Sequence, residues 1–368
     1  MLTVSIFIGK LNLLQKYKND DGNKMIVDIQ SFESKKKTFI IAEAGVNHNG
    51  KIQLAKKLVD VAKEFKTDAI KFQTFKTEEL LTEDAEKADY QKDNSQENSQ
   101  YEMLKNLELT SDEFQEIADY TLKKDLIFLS SPFDKESTNL LDDLGVPIFK
   151  IASGEITNFP LLKHIAKKEK PVILSTGMST LGEIDDAIDL IEKYNPQITL
   201  MHCVTSYPAK IEDTNLNVIR TLKSTFKKPV GFSDHSLGIE MSIAAVSLGS
   251  CVIEKHFTLD KNLPGPDHKA SLEPSKFAKM VNSIRNVEKG LGDGIKKPTP
   301  EEIRIKEVAR KSIVAKIDIP KNTILTEDML AIKRPGTGIE PKYYNHLINK
   351  QTTTDIKRNY LIKWNQLK

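Results

Sequence analysis

Two lysines sit inside apolar runs: Lys71 between Ile70 and Phe72, and Lys150 between Phe149 and Ile151. An ammonium is rarely buried without an anion to pair with. The phosphate or carboxylate of a ligand would satisfy such a lysine. A structural ion pair would satisfy it equally well, and the two residues alone leave both readings open. Small hydroxyl residues accompany the lysines: Ser130 and Ser131, Ser153 ahead of Gly154, and Ser175, Thr176 and Gly177 in a row. There a backbone and its hydroxyls can approach phosphate oxygens. The chain has no GxxxxGK[ST] loop and no GxGxxG after a strand, so nucleotide binding is not indicated.

Histidines carry the second line of chemistry. His235 in SDHS and His256 in EKHFT end two successive apolar runs. Adjacent strands would bring both within reach of one divalent metal, and imidazole suits Mn, Fe, Co or Zn. Two protein ligands leave positions for water and substrate, which a Lewis acid needs in order to polarise a carbonyl. The competing reading is two hydrogen-bonded histidines and no metal. His48 and His202 are further candidates, as ligands or as structural residues. Glu43, Glu155, Asp234 and Asp267 are the acids expected around the same mouth, where carboxylates bind sugar hydroxyls or shuttle protons.

The elements that must position these residues are eight short, β-branched apolar runs: 39–45, 68–74, 127–133, 147–153, 171–177, 198–204, 229–235 and 252–258. Such runs read as buried parallel strands. Stretches with helical spacing separate them, such as IQLAKKLVDVAKEF and LGEIDDAIDLIEKY. Strand and helix alternating eight times predict an α/β fold, a (β/α)8 TIM barrel. Glu43, Lys71, Gln73, Ser131, Lys150, Ser153, Ser175, His202, His235 and His256 all fall at the ends of the runs, where barrel active sites form. Residues 75–126 exceed a usual crossover, and the polar stretch 83–100 suits a mobile loop over the mouth. The expected domains are an extension over 1–37, a barrel over 38–292, a linker over 293–306 and a small β-rich domain over 307–368. Within the extension, 1–24 precede a second plausible start at Met25.

Composition sets the bounds. The 368 residues carry a formal net charge of +2 and are 39% hydrophobic, as in a soluble globular protein. That balance gives no global electrostatic reason to expect nucleic acid or a membrane as partner. No apolar run approaches the roughly 20 residues that span a bilayer, and the short apolar start makes a poor signal peptide. Cys203 and Cys251 form no CxxC pair and read as buried thiols in a reducing cytoplasm.

Together the motifs IIAEAGVNHNG, AIKFQTF, FLSSPFD, FKIASGEITNFPLL, PVILSTGMS, HCVTSYP, GFSDHS, EKHFT and PGPD resemble the series found in bacterial sialic acid synthases. The tail, with IPKNTILTEDMLAIKRPGTG, is similar to the antifreeze-like SAF domain of that family. The resemblance covers about residues 38–368. It implies condensation of phosphoenolpyruvate with N-acetylmannosamine or a related acylated hexosamine, giving a nonulosonic acid and phosphate. It implies a divalent metal on His235 and His256, Mn first, with Mg or Co as alternatives. It implies phosphoenolpyruvate on Lys71, Lys150, Ser131, Ser153 and Ser175, with Asn94 added from the polar loop. Thr205 stands where some members have asparagine, which shortens its reach to the same ligand. Glu43, Gln73, Tyr207 and Asp267 would meet the sugar, and Glu155 the reacting carbons. Arg334 would reach the sugar's acyl group in the partner subunit of a domain-swapped homodimer. The motif IASGE rather than IASFE argues against the pseudaminic acid branch. The alternative is an N,N'-diacetyllegionaminate synthase using 2,4-diacetamido-2,4,6-trideoxymannose. Two rival classes are a metal-dependent barrel hydrolase, which would need more ligands, and a non-catalytic sugar- or ice-binding protein, which would not need the lysines and histidines.

Overall fold

The computed structural model describes residues 37–88, 97 and 99–368. The reading of 1–24, the start at Met25 and Asn94 fall outside them. Eight strands form one parallel sheet: β1 (Phe39–Gly45), β2 (Ala69–Thr74), β3 (Ile127–Pro132), β4 (Phe149–Ile151), β5 (Val172–Ser175), β6 (Ile198–Cys203), β7 (Val230–Asp234) and β8 (Val252–His256). Their order is β3-β2-β1-β8-β7-β6-β5-β4, and β3 lies beside β4. The sheet therefore curls into a barrel with one seam lacking a ladder.

Each strand is followed by a helix. The eight are α1 (Ile52–Glu64), α3 (Ser111–Lys123), α4 (Lys135–Asp143), α5 (Phe159–Ala166), α6 (Leu181–Glu192), α7 (Val218–Phe226), α8 (Glu240–Ser247) and α9 (Pro274–Leu291). In α1, Ala55, Leu58, Val59 and Ala62 recur at helical spacing and form the buried stripe. Helices α3 and α6 begin with capping boxes, Thr110 with Glu113 and Thr180 with Glu183. Two further helical segments lie between β2 and α3: a single turn, Thr77–Leu80, and the helix α2 (Gln100–Leu107). Its Met103 and Leu107 pack with Val46 and Phe75, just past β1 and β2. Helix α2 thus begins where the polar stretch 83–100 ends.

Successive strand side chains point to opposite faces, and this sorts the barrel. Ile40, Ala42, Ile70, Phe72, Phe128 and Phe149 belong to the large core between strands and helices. The alternate positions Ile41, Ala69, Leu129, Ile148, Ile173, Met201 and Val252 make a separate apolar core inside the barrel. Two residues further along, the same inward phase reaches Glu43, Lys71, Ser131, Lys150, Ser175, Cys203 and Glu254, all lining a cavity. The lysines seemed embedded in apolar runs because their immediate neighbours face the helices.

The outward phase explains three residues that the sequence placed at the mouth. His202 packs beside Phe232, with Nε2 2.7 Å from the Thr214 carbonyl oxygen, to which it donates. Asp234 accepts from Ser236 and Ser242 and pairs at 2.9 Å with the buried Lys255. Ser130 bonds Thr74 at 2.7 Å. All three support the strand–helix layer.

The second compact unit spans Asp293–Lys368. Helix α10 (Pro300–Ala309) takes up part of the stretch expected as linker, capped by Thr299. Strands β9 (Ser312–Ala315) and β10 (Leu330–Lys333) pair antiparallel. Ile313, Leu325, Leu330, Leu347, Ile356 and Ile362 form its own small core.

Asp234→Ala would leave the Lys255 ammonium buried and unpaired. The expected loss of stability is about 3–5 kcal/mol, measured by denaturant titration. A loss below about 1 kcal/mol would show that the pair does not hold β7 to β8.

Candidate active site

The inward side chains meet at a cavity of 220 Å³ at the C-terminal ends of the strands. Its floor is ionic. Lys71 Nζ lies 2.8 Å from Glu43 Oε2 and 3.7 Å from Glu254 Oε1, and it donates to Ser131 Oγ at 3.1 Å. Lys150 Nζ donates to the same Glu254 Oε1 at 3.2 Å, as does Ser233 Oγ at 3.1 Å. All four charged residues are buried. Burial opposes ionisation of Glu254, but Lys150 and Lys71 outweigh it and hold the carboxyl at about 2. Burial pushes Glu43 up to about 8 against the pull of Lys71. Burial also lowers Lys150, with Glu254 opposing. Lysine paired with a carboxylate and lysine poised for an anion are therefore not exclusive here: the cluster holds the ammoniums ready at the edge of an open cavity.

Beside the lysines is a cradle of small polar groups. Ser153 opens the 3₁₀ turn Ser153–Glu155 after β4. Its Oγ accepts from Gly177 N at 3.1 Å and lies 3.0 Å from Cys203 Sγ. The Thr205 hydroxyl is buried with no protein partner. A Cβ on Gly177 would fall 2.2 Å from Thr205 Oγ1 and 2.8 Å from Ser153 Oγ. Only glycine leaves that space free, and the space is bordered by hydroxyls and the cavity-lining Ser175.

Two imidazoles close the other side. Their ring centroids are 5.7 Å apart. His235 Nδ1 lies 2.7 Å from the Val204 carbonyl oxygen. A carbonyl only accepts, so Nδ1 carries the proton and Nε2 presents a lone pair. That Nε2 lies 3.2 Å from the Tyr207 hydroxyl. Tyr207 also covers both rings, at centroid distances of 4.2 and 5.6 Å. His256 Nδ1 is buried with no hydrogen-bond partner; Asp267 Oδ2 is its nearest acid at 3.8 Å. Burial holds His235 at about 4 and His256 well below its ordinary value. Both rings are thus neutral, as metal ligands must be. An oriented lone pair on one and an orphaned nitrogen on the other fit a divalent cation. Among the described residues, no three His, Cys, Asp or Glu side chains converge on one point, so such a cation would draw its other ligands from water and substrate.

Glu43, Lys71, Gln73, Ser131, Lys150, Ser153, Ser175, Thr205, Tyr207, His235 and His256 all line the cavity. Asp267 stands next to it, raised to about 6 by burial. Gly45 ends β1 beside it at φ +53, a left-handed conformation that glycine adopts without strain. Glu155 closes the Ser153–Glu155 turn, buried and outside the cavity lining; burial raises its pKa, and Asn158 Nδ2 donates to its Oε2 at 2.7 Å. Arg334 is exposed in the second unit, at the end of β10. His48 lies outside the cavity lining, its Nδ1 accepting from Gly50 N at 3.1 Å. Glu254 and Cys203 were missed. Glu254 sits two residues before His256, and that spacing was the available signal for an inward carboxylate.

Fold and cavity define a class: a (β/α)8 barrel whose mouth sets paired ammoniums and hydroxyls opposite paired imidazoles. Residues 58–296 match the NeuB family and residues 310–368 the SAF domain. The chain is similar to the N,N'-diacetyllegionaminic acid synthase of Campylobacter jejuni, at 49% identity over 89% of this chain and 99% of that one. It is 37% identical to the human N-acetylneuraminate-9-phosphate synthase over 87% of this chain and 90% of that one. The crystal structure of N-acetylneuraminic acid synthetase from Leptospira borgpetersenii superposes with a TM-score of 0.66 at 39% identity, covering 73% of this chain and 91% of that one. The chain belongs to the NeuB family and carries a C-terminal SAF domain.

If the imidazoles bind a cation, His235→Ala and His256→Ala will each weaken Mn²⁺ binding by roughly 100-fold, the upper end of what loss of a supporting contact alone costs. Electron paramagnetic resonance titration of free Mn²⁺ reads this without any assay of turnover. Unchanged Mn²⁺ affinity in both variants would remove the metal from the site.

Proposed function

We propose that this protein is a nonulosonic acid synthase that joins phosphoenolpyruvate to an N-acylated hexosamine with release of phosphate. The observation that carries the proposal is the cavity in which Lys71, Lys150, Ser153 and Thr205 face one another beside His235 and His256. An enolate phosphate and carboxylate need ammoniums and hydroxyl donors. An acceptor aldehyde needs an electrophilic activator. The cavity offers the donor groups for the first and the imidazole pair for the second. A divalent metal on His235 and His256, Mn before Mg or Co, would supply the Lewis acidity that polarises the aldehyde.

The chain's own residues account for the rest. Lys71 and Lys150 hold the anion while Glu254 keeps both ammoniums in place. Fixing two substrates in one cavity removes much of the entropic barrier to their meeting, up to roughly 7–11 kcal/mol for well-aligned reactants. C3 of phosphoenolpyruvate then bonds to the aldehyde carbon, water adds at C2, and phosphate departs by C–O cleavage. Glu43, Gln73, Tyr207 and Asp267 orient the sugar. Glu155, which lies outside the cavity lining, is assigned the role of holding a proton for the reacting carbons. Asn158 occupies its Oε2, so the proton belongs on Oε1.

For the sugar, 2,4-diacetamido-2,4,6-trideoxymannose takes precedence over N-acetylmannosamine. The identity to the Campylobacter diacetyllegionaminic acid synthase, 49%, exceeds the 37% to the human sialic acid relative. Among the described residues no helix is long and apolar enough to cross a membrane, and a cytoplasmic homodimer completed by Arg334 of the partner subunit belongs to the same proposal.

Phosphate release from phosphoenolpyruvate tests the reaction and the sugar together. Release should require an acylated hexosamine and be fastest with the diacetamido sugar. Release without any sugar, or none with either sugar, would overturn the proposal. Lys150→Ala should raise KM for phosphoenolpyruvate at least about tenfold, as loss of a charge-assisted contact requires, and leave KM for the sugar within twofold. Equal increases would mean that Lys150 only stabilises the fold. Mixing Arg334→Ala chains with His235→Ala chains should restore part of the activity each lacks alone; no recovery after confirmed subunit exchange would sink the shared-site dimer.

A further inference from the structure

Cys203 lines the same cavity as the lysines, yet the reaction above gives it no task. Its thiol is not placed like a packing group. It lies 3.0 Å from Ser153 Oγ, and it is the third group that a Cβ on Gly177 would meet, at 2.9 Å. Three heteroatoms, Thr205 Oγ1, Ser153 Oγ and Cys203 Sγ, therefore converge on one glycine. Independently, the buried Thr205 hydroxyl has no protein partner, which marks the place of an acceptor supplied from outside the chain.

The hydroxyl of Ser153 has one proton to give and two lone pairs to fill. Gly177 N–H fills one lone pair. Two arrangements remain for the contact with Cys203. Sulfur is a weak acceptor and an anionic oxygen a strong one. Once an anion enters, the Ser153 proton goes to the anion, and the Cys203 S–H donates to the second lone pair of Oγ. Both lone pairs are then occupied, and donation into a hydroxyl strengthens the bond it gives in turn.

We propose that Cys203 is a positioning residue for phosphoenolpyruvate: its thiol, together with Gly177 N–H, aims the Ser153 hydroxyl at an anionic oxygen of that ligand. The inference rests on the phosphoenolpyruvate reading above. It makes the thiol a specific element of anion binding, with no part in sugar binding or in bond making.

The test uses full-length protein with Mn²⁺ present, phosphoenolpyruvate binding by calorimetry, and steady-state kinetics. Cys203→Ala should weaken phosphoenolpyruvate binding and raise its KM about fivefold, the size of one lost hydrogen-bond contribution. KM for the sugar and kcat should stay within twofold. Cys203→Ser, which keeps a donor, should recover most of the loss. In a Ser153→Ala background Cys203→Ala should change phosphoenolpyruvate affinity no further, because its effect passes through that hydroxyl. Unchanged affinity in Cys203→Ala, a Ser variant as weak as the Ala variant, or a full fivefold loss in the Ser153→Ala background would each overturn the assignment. Failure of the wild-type protein to bind phosphoenolpyruvate at all would instead overturn the proposed function, and this inference with it.

Discussion

The contact between Lys150 on β4 and Glu254 on β8 spans the barrel interior. In the strand order these two strands lie on opposite sides, so no ladder joins them; a 3.2 Å ion pair does. Lys71 and Glu43 complete the cluster from β2 and β1. Taking an ion out of water costs several kcal/mol even after relaxation, and only close pairing and further hydrogen bonds offset it. Those conditions fix much around the floor. Ser131 must stand where it accepts from Lys71, and Ser233 where it donates to Glu254. The apolar layer of Ile41, Leu129, Ile173 and Met201 must lie beneath and exclude water. The four charges pair with one another, but Glu43 Oε1 and Glu254 Oε2 stay buried without a hydrogen-bond partner, and the cluster's open side faces the hydroxyls of Ser153 and Thr205.

The imidazole side depends on the same strands. Glu43 and His256 are register partners across β1 and β8, and Glu254 and His256 share the inward face of β8. Moving the acidic residue moves the ring with it. Charge and lone pair are thereby kept a fixed distance apart by the pleat rather than by flexible side chains.

The barrel was legible because its strands are short, buried and β-branched, and because helices such as α1 carry an unbroken apolar stripe. The site was legible as a set of residue types at strand ends. What the sequence reading lacked was phase. Asp234, His202 and Ser130 share strand ends with true cavity residues but face the helices. Glu254 stands out less because it shares the segment EKHFT with the more conspicuous His256 two positions later. Counting in twos from Leu129, Met201, Gly231 and Val252 would have separated them. The helix at Gln100–Leu107 was obscured for another reason: only Met103 and Leu107 are buried, too few apolar positions to stand out in a polar stretch.

The pleat also bears on how such a chain can change over generations. Deleting one residue of β8 ahead of Glu254 would present Lys255 and Phe257 to the cavity in place of Glu254 and His256, and inserting one there would present Ile253 and Lys255. No nearby substitution could restore the old arrangement, because every downstream side chain would turn over at once. Length variation is therefore barred from the strands and falls to the connections, of which the segment after β2, with its added helix α2, is the plainest case here. A longer or shorter loop leaves every inward side chain where it is, whereas a longer or shorter strand does not.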